Sequence, residues 1–273
     1  MNLFERRDAL FSIIHARSNI YTAFPMHAHT FAELYCFLGG QGVYHVEGNR
    51  YELSPGDILL MRPTEAHYID VDPDIPYERL YINFDIRIFD ALDPDSQLLR
   101  PFFDRKAGCL NHYKADPDCT ARLLAMTDPS GSRATILANL ILVLQQLCRR
   151  FGESAAKDVT PDSMEYRMIR YINQNLHQDL SITSLCDRFF LSRAQLCRRF
   201  HDATGTSVGR YVTMKRLILA RQLLLQGQKP TDVYAGCGFQ DYATFFRAYK
   251  RYFGHAPKDA QNFQLQEDRP VIE

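Results

Sequence analysis

The feature of this sequence that most restricts its fold is an internal repeat in the last third of the chain, within residues 163–261. Sliding the sequence by 49 residues aligns Ser192 with Asp241 and Phe200 with Tyr249. Each copy predicts a short helix, a tight turn, a capping residue and a second amphipathic helix. Two helices joined in this way form a helix-turn-helix, whose second helix enters the major groove of DNA. The other aligned pairs are Leu185 with Tyr234, Cys186 with Ala235, Phe190 with Phe239, Leu196 with Phe245 and Gly205 with Gly254.

The second helix of each copy combines an apolar side with basic and polar residues. Leu196 and Phe200 are expected to face the core in the first copy, and Phe245 and Tyr249 in the second. Arg can bind the edge of guanine through two hydrogen bonds, and Arg or Lys can neutralise phosphates. Any one of these basic residues, taken alone, is also consistent with a phosphate contact or with an exposed surface side chain. The prediction of DNA binding therefore rests on the two helices together. The residues on the polar side are Arg193, Gln195, Arg198, Arg199, Arg247, Lys250 and Arg251.

The distribution of charge along the chain agrees with DNA binding. The whole sequence has 32 Lys and Arg and 32 Asp and Glu, but residues 164–261 hold 15 basic against 7 acidic residues. A basic helical part beside an acidic remainder is typical of a protein in which only one domain meets phosphates. Many solvated helices are also basic, so the asymmetry supports the motif without replacing it.

Residues 10–90 have the pattern of short antiparallel strands. Runs rich in β-branched and aromatic residues recur between turn sequences such as Gly39-Gly40 and Ser54-Pro55-Gly56-Asp57. Strands at this spacing predict an antiparallel sandwich or barrel. The expected strands cover Phe31–Leu38, Gly42–Glu47, Asp57–Met61 and Arg79–Phe84.

The segment that follows, over residues 95–151, has a helical pattern. From Ser132 to Phe151 apolar residues recur every three or four positions, which places them on one side of a helix. That side either packs on the sheet of its own chain or forms a dimer seam with a second copy, and the sequence leaves both interpretations open. The residues of this stripe are Ile136, Leu137, Leu140, Ile141, Leu144, Leu147 and Phe151.

These patterns divide the chain into four parts and predict a multidomain α and β fold. We expect a β domain over residues 1–92, followed by a helical segment for dimerisation or support over residues 93–151. Small, polar and proline residues indicate a linker at residues 152–162. The all-α domain with two helix-turn-helix units then covers residues 163–262.

Residues 232–257 resemble the DNA-binding signature of the AraC/XylS family of transcription regulators. They contain the Gly238-Phe239 turn, the F-x-R-x-aromatic-K pattern of residues 245–250 and the G-x-x-P pattern of residues 254–257. The first copy carries a matching L-x-R-x-F pattern at residues 196–200. The resemblance implies a long connecting helix from Val208 to Gln226. It also implies that both second helices enter adjacent major grooves on one side of the DNA.

The resemblance also implies which side chains face the bases. Two departures from the family pattern affect this expectation. Ala194 and Cys197 are small and poor at hydrogen bonding, so the first helix is expected to read DNA through Arg198 and DNA shape. Ala260-Gln261 replaces an aromatic residue and Arg of the family, which weakens one expected closing contact. The base-facing residues by matched position are Ala194, Cys197, Arg198, Tyr242, Ala243, Phe246 and Arg247.

The N-terminal part is similar to the cupin-like sensor of the same family. In metal-binding cupins the ligands are two His, a Glu and a later His, which match His27, His29, Glu33 and His67 here. Alternation along a strand would place His27 and His29 on one face, as shared coordination requires. The second motif departs from the metal-binding form, since Gly is missing after Pro63 and His67 lies one residue early. The four residues are therefore a divalent metal site, polar groups of a ligand pocket, or structural side chains.

Strand alternation adds Tyr35, Tyr44, Tyr81 and Asn83 as residues that face the pocket. Aromatic and polar walls of this kind suit a sugar or a similar hydroxylated compound. The preferred hypothesis is a non-enzymatic regulator without a required cofactor, in which a small-molecule effector changes the arrangement of a homodimer on double-stranded DNA. RNA polymerase is a further candidate partner.

Two other hypotheses remain at this point. One is a metal-dependent cupin enzyme in which His27, His29, Glu33 and His67 hold Fe, Mn or Zn and the helices serve assembly. The other is a DNA-binding protein whose β domain serves only dimerisation. Bound metal in stoichiometric amount would favour the enzyme.

Cysteine usage and hydropathy predict a cytoplasmic protein. The seven Cys are odd in number and form no C-x-x-C pair, so we expect free, buried thiols rather than disulfides or a zinc ribbon. No apolar run reaches the ~18 residues that cross a bilayer. Residues 1–8 mix acidic and basic side chains and lack the apolar region of a signal peptide.

Overall fold

The N-terminal part of the chain consists of two antiparallel sheets packed face to face. The computed structural model describes residues 1–18, 24–155 and 162–262. The strands are β1 (Asn2–Arg7), β2 (Phe11–Ser18), β3 (Ala32–Gly39), β4 (Gly42–Val46), β5 (Asn49–Glu52), β6 (Ile58–Met61), β7 (His67–Val71), β8 (Tyr77–Phe84) and β9 (His112–Tyr113). The larger sheet has the order β1-β2-β8-β3-β6-β9, and the smaller sheet has the order β5-β4-β7. The four strands expected from the sequence are all present, with ends shifted by one or two residues.

Alternation along β3 explains how the layers pack. Successive side chains in a strand point to opposite faces of the sheet. Leu34 and Cys36 therefore pack beneath the helices that follow the sheet, in one apolar cluster. Tyr35 and Phe37 face the smaller sheet, in a second cluster that also contains Tyr44 of β4.

The turn before β6 is fixed by a buried carboxylate. Asp57 is fully buried, and its carboxylate accepts hydrogen bonds from the backbone N–H of Ser54 at 3.0 Å and of Ala115 at 2.9 Å. His112 lies 2.7 Å and Lys114 3.1 Å from the same carboxylate. One side chain thus joins the turn at residues 54–57 to the segment around β9.

Helices cover the outer face of the larger sheet. They are α1 (Arg100–Phe103), α2 (Pro117–Ala125) and α3 (Arg133–Ala155), with 3-10 turns at Ile86–Phe89 and Gln97–Leu99. The helical expectation for residues 95–151 was wrong at β9, which adds a short strand to the edge of the sheet. Arg105 explains this strand, because its buried guanidinium binds Glu65, Asn111 and the carbonyl of Leu60. These bonds hold residues 105–111 against β6.

The apolar stripe of α3 packs inside its own chain. Ile136, Leu140, Leu144, Leu147 and Phe151 are each at most 2% exposed and belong to the cluster beneath the larger sheet. Five of the seven stripe residues therefore pack on the sheet of their own chain, and a dimer contact that involves the other two, Leu137 and Ile141, stays a prediction. The helices need this stripe to cover one face of the sheet.

The C-terminal part is all helical. Its helices are α4 (Met164–Gln174), α5 (Ile182–Phe189), α6 (Arg193–Thr204), α7 (Val208–Leu225), α8 (Pro230–Gly236) and α9 (Tyr242–Phe253), followed by a 3-10 turn at Pro257–Asn262. The connecting helix α7 begins at Val208, as the resemblance implied, and ends at Leu225, one residue before the expected end. The first residues of the expected linker 152–162 belong to α3, and residues 156–161 lie outside the described residues. In the final turn, Ala260 is buried and Gln261 donates to the carbonyl of Leu224 at 3.3 Å.

The offset that aligns the two helix-turn-helix copies is 48 residues before the turn and 49 residues after it. Phe190 is 94% exposed with a φ of 54°, and the residue in the same left-handed position of the second copy is Gly238, not Phe239. Leu191 N–H donates to the carbonyl of Cys186, as Phe239 N–H does to that of Tyr234. The alignment of Phe190 with Phe239, and of Leu185 and Cys186 with Tyr234 and Ala235, was therefore one residue out. The second copy has one more residue in its turn, and the caps Ser192 and Asp241 restore the 49-residue spacing.

The helical part docks directly on the β part. Ala28 and Ala66 of the β part are fully buried and belong to the apolar cluster of the C-terminal helices. Gly48 has a φ of 82°, and a Cβ atom there would collide with Ile169 of α4. The two parts therefore share a close-packed interface.

All seven cysteines are free, and four of them are buried. The helices of the described residues include none that is both long and apolar enough to cross a membrane.

Candidate functional site

The second helix of each helix-turn-helix unit has a buried side and a solvent-facing side. α6 starts at a capping box, in which the Ser192 and Gln195 side chains bind each other's backbone N–H. Asp241 caps α9 by accepting from Thr244 N–H at 2.8 Å. Leu196, Phe200, Phe245 and Tyr249 are at most 1% exposed, as expected. The exposed residues among the predicted DNA contacts are Arg193, Ala194, Gln195, Cys197, Arg198, Arg199, Tyr242, Ala243, Arg247 and Lys250, whereas Phe246 is half-buried.

Two of these basic residues have partners within the protein. Arg199 donates to Glu165 at 2.9 Å, which connects α6 to α4. Arg247 donates to Thr244 in its own helix at 3.3 Å. In the part of the chain that the structure describes, the guanidinium groups of Arg193 and Arg198 make no hydrogen bond or ion pair, so they are available to a ligand.

The four residues that the sequence proposed as metal ligands or pocket groups converge at one point. His27 lies in an irregular segment rather than in a strand, and its backbone pairs with that of His67 at the start of β7. One ring nitrogen from each of His27, His29 and His67 lies within 4.8 Å of the other two. Glu33 Oε2 is 3.1 Å from His29 Nε2 and 4.0 Å from His67 Nε2.

Burial controls the charge of this cluster. It lowers the pKa of His67 to about 4. Burial, followed by the proximity of His67, also holds the pKa of His27 well below its ordinary value. Burial alone would raise the pKa of Glu33, but the hydrogen bond with His29 and the nearby His67 lower it to about 2. At neutral pH the cluster therefore combines a carboxylate with the neutral imidazoles of His27 and His67.

A cavity of about 150 Å³ lies between the two sheets and opens onto this cluster. Glu33 and His27 form one end of it. Tyr35 and Tyr44 have ring centroids 4.7 Å apart, and Tyr35 and Tyr77 share a hydrogen bond of 2.5 Å between their hydroxyl groups. The lining residues are Phe24, Pro25, His27, Glu33, Tyr35, Tyr44, Ile69, Tyr77, Arg79 and Tyr81.

The sequence reasoning missed part of this lining. Tyr77 and Arg79 line the cavity beside Tyr81, and all three lie on the same face of β8 because their positions differ by two. Extending the alternation from Tyr81 toward the start of the strand would have found them. Asn83 continues the series but is absent from the lining, and its buried Oδ1 has no hydrogen-bond partner among the described residues.

The cavity is connected to the helical part through β4. Tyr44 lines the cavity, and Glu47 follows three residues later, directly after the strand ends at Val46. Glu47 is buried and accepts hydrogen bonds from Tyr211 at 2.6 Å and from Lys215 at 2.7 Å, both on α7. α7 joins the two helix-turn-helix units, so the wall of the cavity and the DNA-binding helices share a short physical path.

Two family models match this chain. Residues 11–158 match the AraC-like ligand binding domain, and residues 185–262 match a helix-turn-helix domain. The matches coincide with the sheets and their helices and with the two helix-turn-helix units. They define the class of the protein as a DNA-binding transcription regulator with an N-terminal ligand-binding domain.

The chain belongs to the AraC family of transcription regulators. It is similar to the HTH-type transcriptional activator RhaS of Yersinia pestis bv. Antiqua (strain Angola), with 27% identity over 251 residues that cover 88% of this chain and 90% of the relative. RhaS of Yersinia pseudotuberculosis serotype I (strain IP32953) matches with the same identity and coverage. Among solved structures, ToxT from Vibrio cholerae covers 94% of this chain and 99% of its own, with 12% identity and a TM-score of 0.43.

Proposed function

We propose that this regulator binds specific duplex DNA through α6 and α9 and is controlled by a small hydroxylated effector in the Tyr-lined cavity. The observation that carries the proposal is the path from the cavity through Tyr44 and Glu47 to Tyr211 and Lys215. An effector that binds better to one arrangement of the two parts would shift the protein toward that arrangement. The effector would then change the affinity for DNA, and DNA would change the affinity for the effector by the same factor.

The DNA contacts would divide into two kinds. Arg198 of α6 and Arg247 of α9 are exposed, lie at matching positions of the repeat and suit guanine recognition in the major groove. The remaining predicted contacts have basic, polar, small or aromatic side chains, which suit phosphate binding or close apposition to bases. They are Arg193, Ala194, Gln195, Cys197, Arg199, Tyr242, Ala243, Phe246 and Lys250.

The chemistry of the cavity indicates the class of effector. Its walls carry four Tyr side chains, Glu33 and Arg79, and Arg79 lies over the rings of Phe24 and Tyr77. Hydroxyl groups of a compact sugar-like compound would bind the polar groups, while its ring carbons would pack on the aromatic faces. The cavity would accept a small compound rather than a polymer.

The assembly would be a homodimer, and the exposed side of α3 is available for it. Leu142 is 40% exposed, and Leu137 and Ile141 are half-buried beside it. RNA polymerase would be a further partner, since the similar RhaS proteins are named transcriptional activators. We also propose that the protein works in the cytoplasm and has no enzymatic activity, because its relatives are regulators that act on DNA.

The experiment that tests this proposal is binding to duplex DNA from upstream of the protein's own gene, over a salt series. Wild type is compared with the variant Arg198→Ala plus Arg247→Ala. The control is Arg50→Ala plus Arg149→Ala, which removes equal charge from exposed positions on β5 and α3, outside the C-terminal helices. We expect wild type to bind its own upstream DNA selectively. The variant without Arg198 and Arg247 should lose this selectivity, at a cost of about 1–3 kcal/mol of base discrimination per Arg. Binding without preference over random duplex, with and without candidate sugars, would refute the proposal.

A further inference from the structure

The histidine cluster beside the cavity has the donor set of a transition-metal site. Three imidazole nitrogens lie within 4.8 Å of one another, and the Glu33 carboxylate lies 3.1 Å from His29 Nε2. With Zn–N bonds of ~2.0–2.1 Å, nitrogens that share a tetrahedral ion lie roughly 3.3 Å apart. Small side-chain movements would therefore bring the four donors onto one ion.

Backbone carbonyls orient the three imidazole rings. The Nδ1 atoms of His27, His29 and His67 lie 2.9, 3.0 and 2.8 Å from the carbonyl oxygens of Pro25, Phe31 and Glu65. A carbonyl oxygen can only accept, so each Nδ1 carries a proton and coordination falls to Nε2, which in His29 is hydrogen-bonded to Glu33. Metal-ligating histidines are held in this way in general, with the second ring nitrogen donating to a carbonyl or carboxylate.

His67 provides the observation that a purely structural role does not explain. Its side chain is fully buried, and its Nε2 makes no hydrogen bond among the described residues. A buried polar atom without a partner is costly and rare in folded proteins. This Nε2 faces the carboxylate of Glu33 at 4.0 Å, which is too long for a hydrogen bond and leaves room for an ion between the two groups.

We propose that His27, His29, His67 and Glu33 bind a divalent first-row transition-metal ion whose occupancy is transmitted to the DNA-binding helices. Imidazole nitrogens suit ions such as Zn²⁺, Fe²⁺ and Ni²⁺. Mg²⁺ and Ca²⁺ prefer oxygen ligands, and this donor set has a single carboxylate. Coordination would replace the hydrogen bond between His29 Nε2 and Glu33 Oε2, with release of its proton to solvent.

Transmission follows from where the ligands lie in the chain. Ala28 separates His27 from His29, Ala66 precedes His67, and both alanines are fully buried in the apolar cluster of the C-terminal helices. Tyr252 of α9 donates to the carbonyl of Ala28 at 3.4 Å. Contraction of the ligands around an ion therefore moves backbone that α9 contacts.

The metal site shares two of its four residues with the cavity proposed for the organic effector. His29 and His67 do not line the cavity, so the ion would lie at its wall. His27 and Glu33 belong to both sites, which places the ion within reach of an oxygen atom of a compound in the cavity. Metal binding is therefore measured with the ion alone.

The test uses the full-length protein after dialysis against a chelator. Co²⁺ is added while its visible absorption is recorded, and Zn²⁺ affinity is measured by calorimetry. We expect one ion per chain, no saturable binding of Mg²⁺ or Ca²⁺, and affinity at least 10-fold lower in His67→Gln and in the half-buried His27→Gln. The control is His45→Gln, which replaces a histidine that stacks on Tyr68 outside the cluster and should bind as wild type does. Circular dichroism identifies the variants that are folded.

Two outcomes would overturn the metal site: wild type that binds no transition metal, or a folded His27→Gln protein with unchanged affinity. Transmission is tested on the protein's upstream duplex DNA with and without Zn²⁺. We expect DNA affinity to change at least 5-fold in wild type and not in His27→Gln. Equal DNA affinity of wild type with and without Zn²⁺ would refute transmission.

Selective DNA binding by the metal-free protein would support the regulator function even if the metal site were refuted.

Discussion

Lys215 Nζ lies 2.7 Å from Glu47 Oε1, across the interface between the sheets and the helical part. Glu47 also accepts from the side chains of Tyr211 and Asn173, and its Oε1 accepts from Ala66 N–H. Lys215 donates in addition to the carbonyl of Thr64 at 2.7 Å. Both side chains of the ion pair are at most 7% exposed. A buried charge with this number of partners fixes the relative position of the two parts.

We expect Lys215→Met to loosen the docking of the helical part. Removing one partner of a buried ion pair leaves the other charge uncompensated, at a cost of about 3–5 kcal/mol. The cost falls on the interface, because the partners lie on different parts of the chain. Hydrogen exchange should become faster at Ala66, and small-angle scattering should show a larger radius of gyration. Glu47→Gln combined with Lys215→Met should recover part of the loss, since both charges are removed.

The matched control for this prediction is Arg170→Met. It removes a positive charge from an exposed position in the cleft that Glu47 and Lys215 also line. It should leave hydrogen exchange at Ala66 unchanged. If Lys215→Met and Arg170→Met behaved alike, the Glu47–Lys215 pair would not be what holds the two parts together.

Phe190 combines left-handed backbone with almost complete exposure, so we expect Phe190→Gly to stabilise the protein. The residue has a φ of 54° and a ψ of 43° at the end of α5, and its side chain is 94% exposed. A non-glycine residue in this conformation costs ~1–2 kcal/mol, and the loss of an exposed ring costs little packing. We expect a gain of about 1 kcal/mol in the free energy of unfolding, measured by urea denaturation.

Phe190→Ala is the control, because it removes the ring but keeps the backbone strain. It should give less stabilisation than Phe190→Gly. Phe189→Gly should be destabilising, since Phe189 packs on the helical core and its ring lies 5.7 Å from that of Tyr171. A Phe190→Gly protein less stable than Phe190→Ala would contradict the strain argument.

Part of the regular structure was predictable from the sequence because local chemistry determines it. The expected strands β3, β4, β6 and β8 follow from runs rich in β-branched and aromatic residues between turn sequences, and α6 and α9 follow from the caps Ser192 and Asp241. The strands β1, β2, β5 and β7 were not individually expected. The one-residue difference between the two turns was not visible, because Phe190 and Leu191 are both apolar and either could align with Phe239. The left-handed backbone shared by Phe190 and Gly238 distinguishes them, together with the matching hydrogen bonds of Leu191 and Phe239.

Long-range relationships were not predictable from one sequence. β9 has two residues, too few for a period, and depends on the buried network of Arg105, Glu65 and Asn111. Glu47 and Lys215 are separated by 168 residues, and nothing in their local sequence marks them as a pair. The periodicity of an apolar stripe shows which side of a helix is buried, but not which surface buries it. The stripe of α3 therefore fitted a dimer seam as well as its own sheet.

Asp57 should make stability depend on pH in the acidic range. Burial alone would raise its pKa, but hydrogen bonds from Ser54 N–H, His112 and Lys114 outweigh burial and lower the pKa below the ordinary value of 3.8. A carboxylate with a depressed pKa in the folded state contributes stability that is fully present above the unfolded pKa. That stability is lost as the pH falls from about 3.8 through the folded pKa, because the folded protein must then take up a proton.

We therefore expect Asp57→Asn to cost roughly 2 kcal/mol at pH 7, the scale of hydrogen bonds to a charged group. The difference in unfolding free energy between wild type and variant should shrink below about pH 4 and be smallest at the lowest pH at which wild type still folds. Urea denaturation at a series of pH values measures it. Asp74→Asn changes an exposed carboxylate on the β7–β8 turn and should follow the wild-type pH profile. A constant difference between Asp57→Asn and wild type from pH 7 to pH 3 would show that the ionised carboxylate is not the stabilising form.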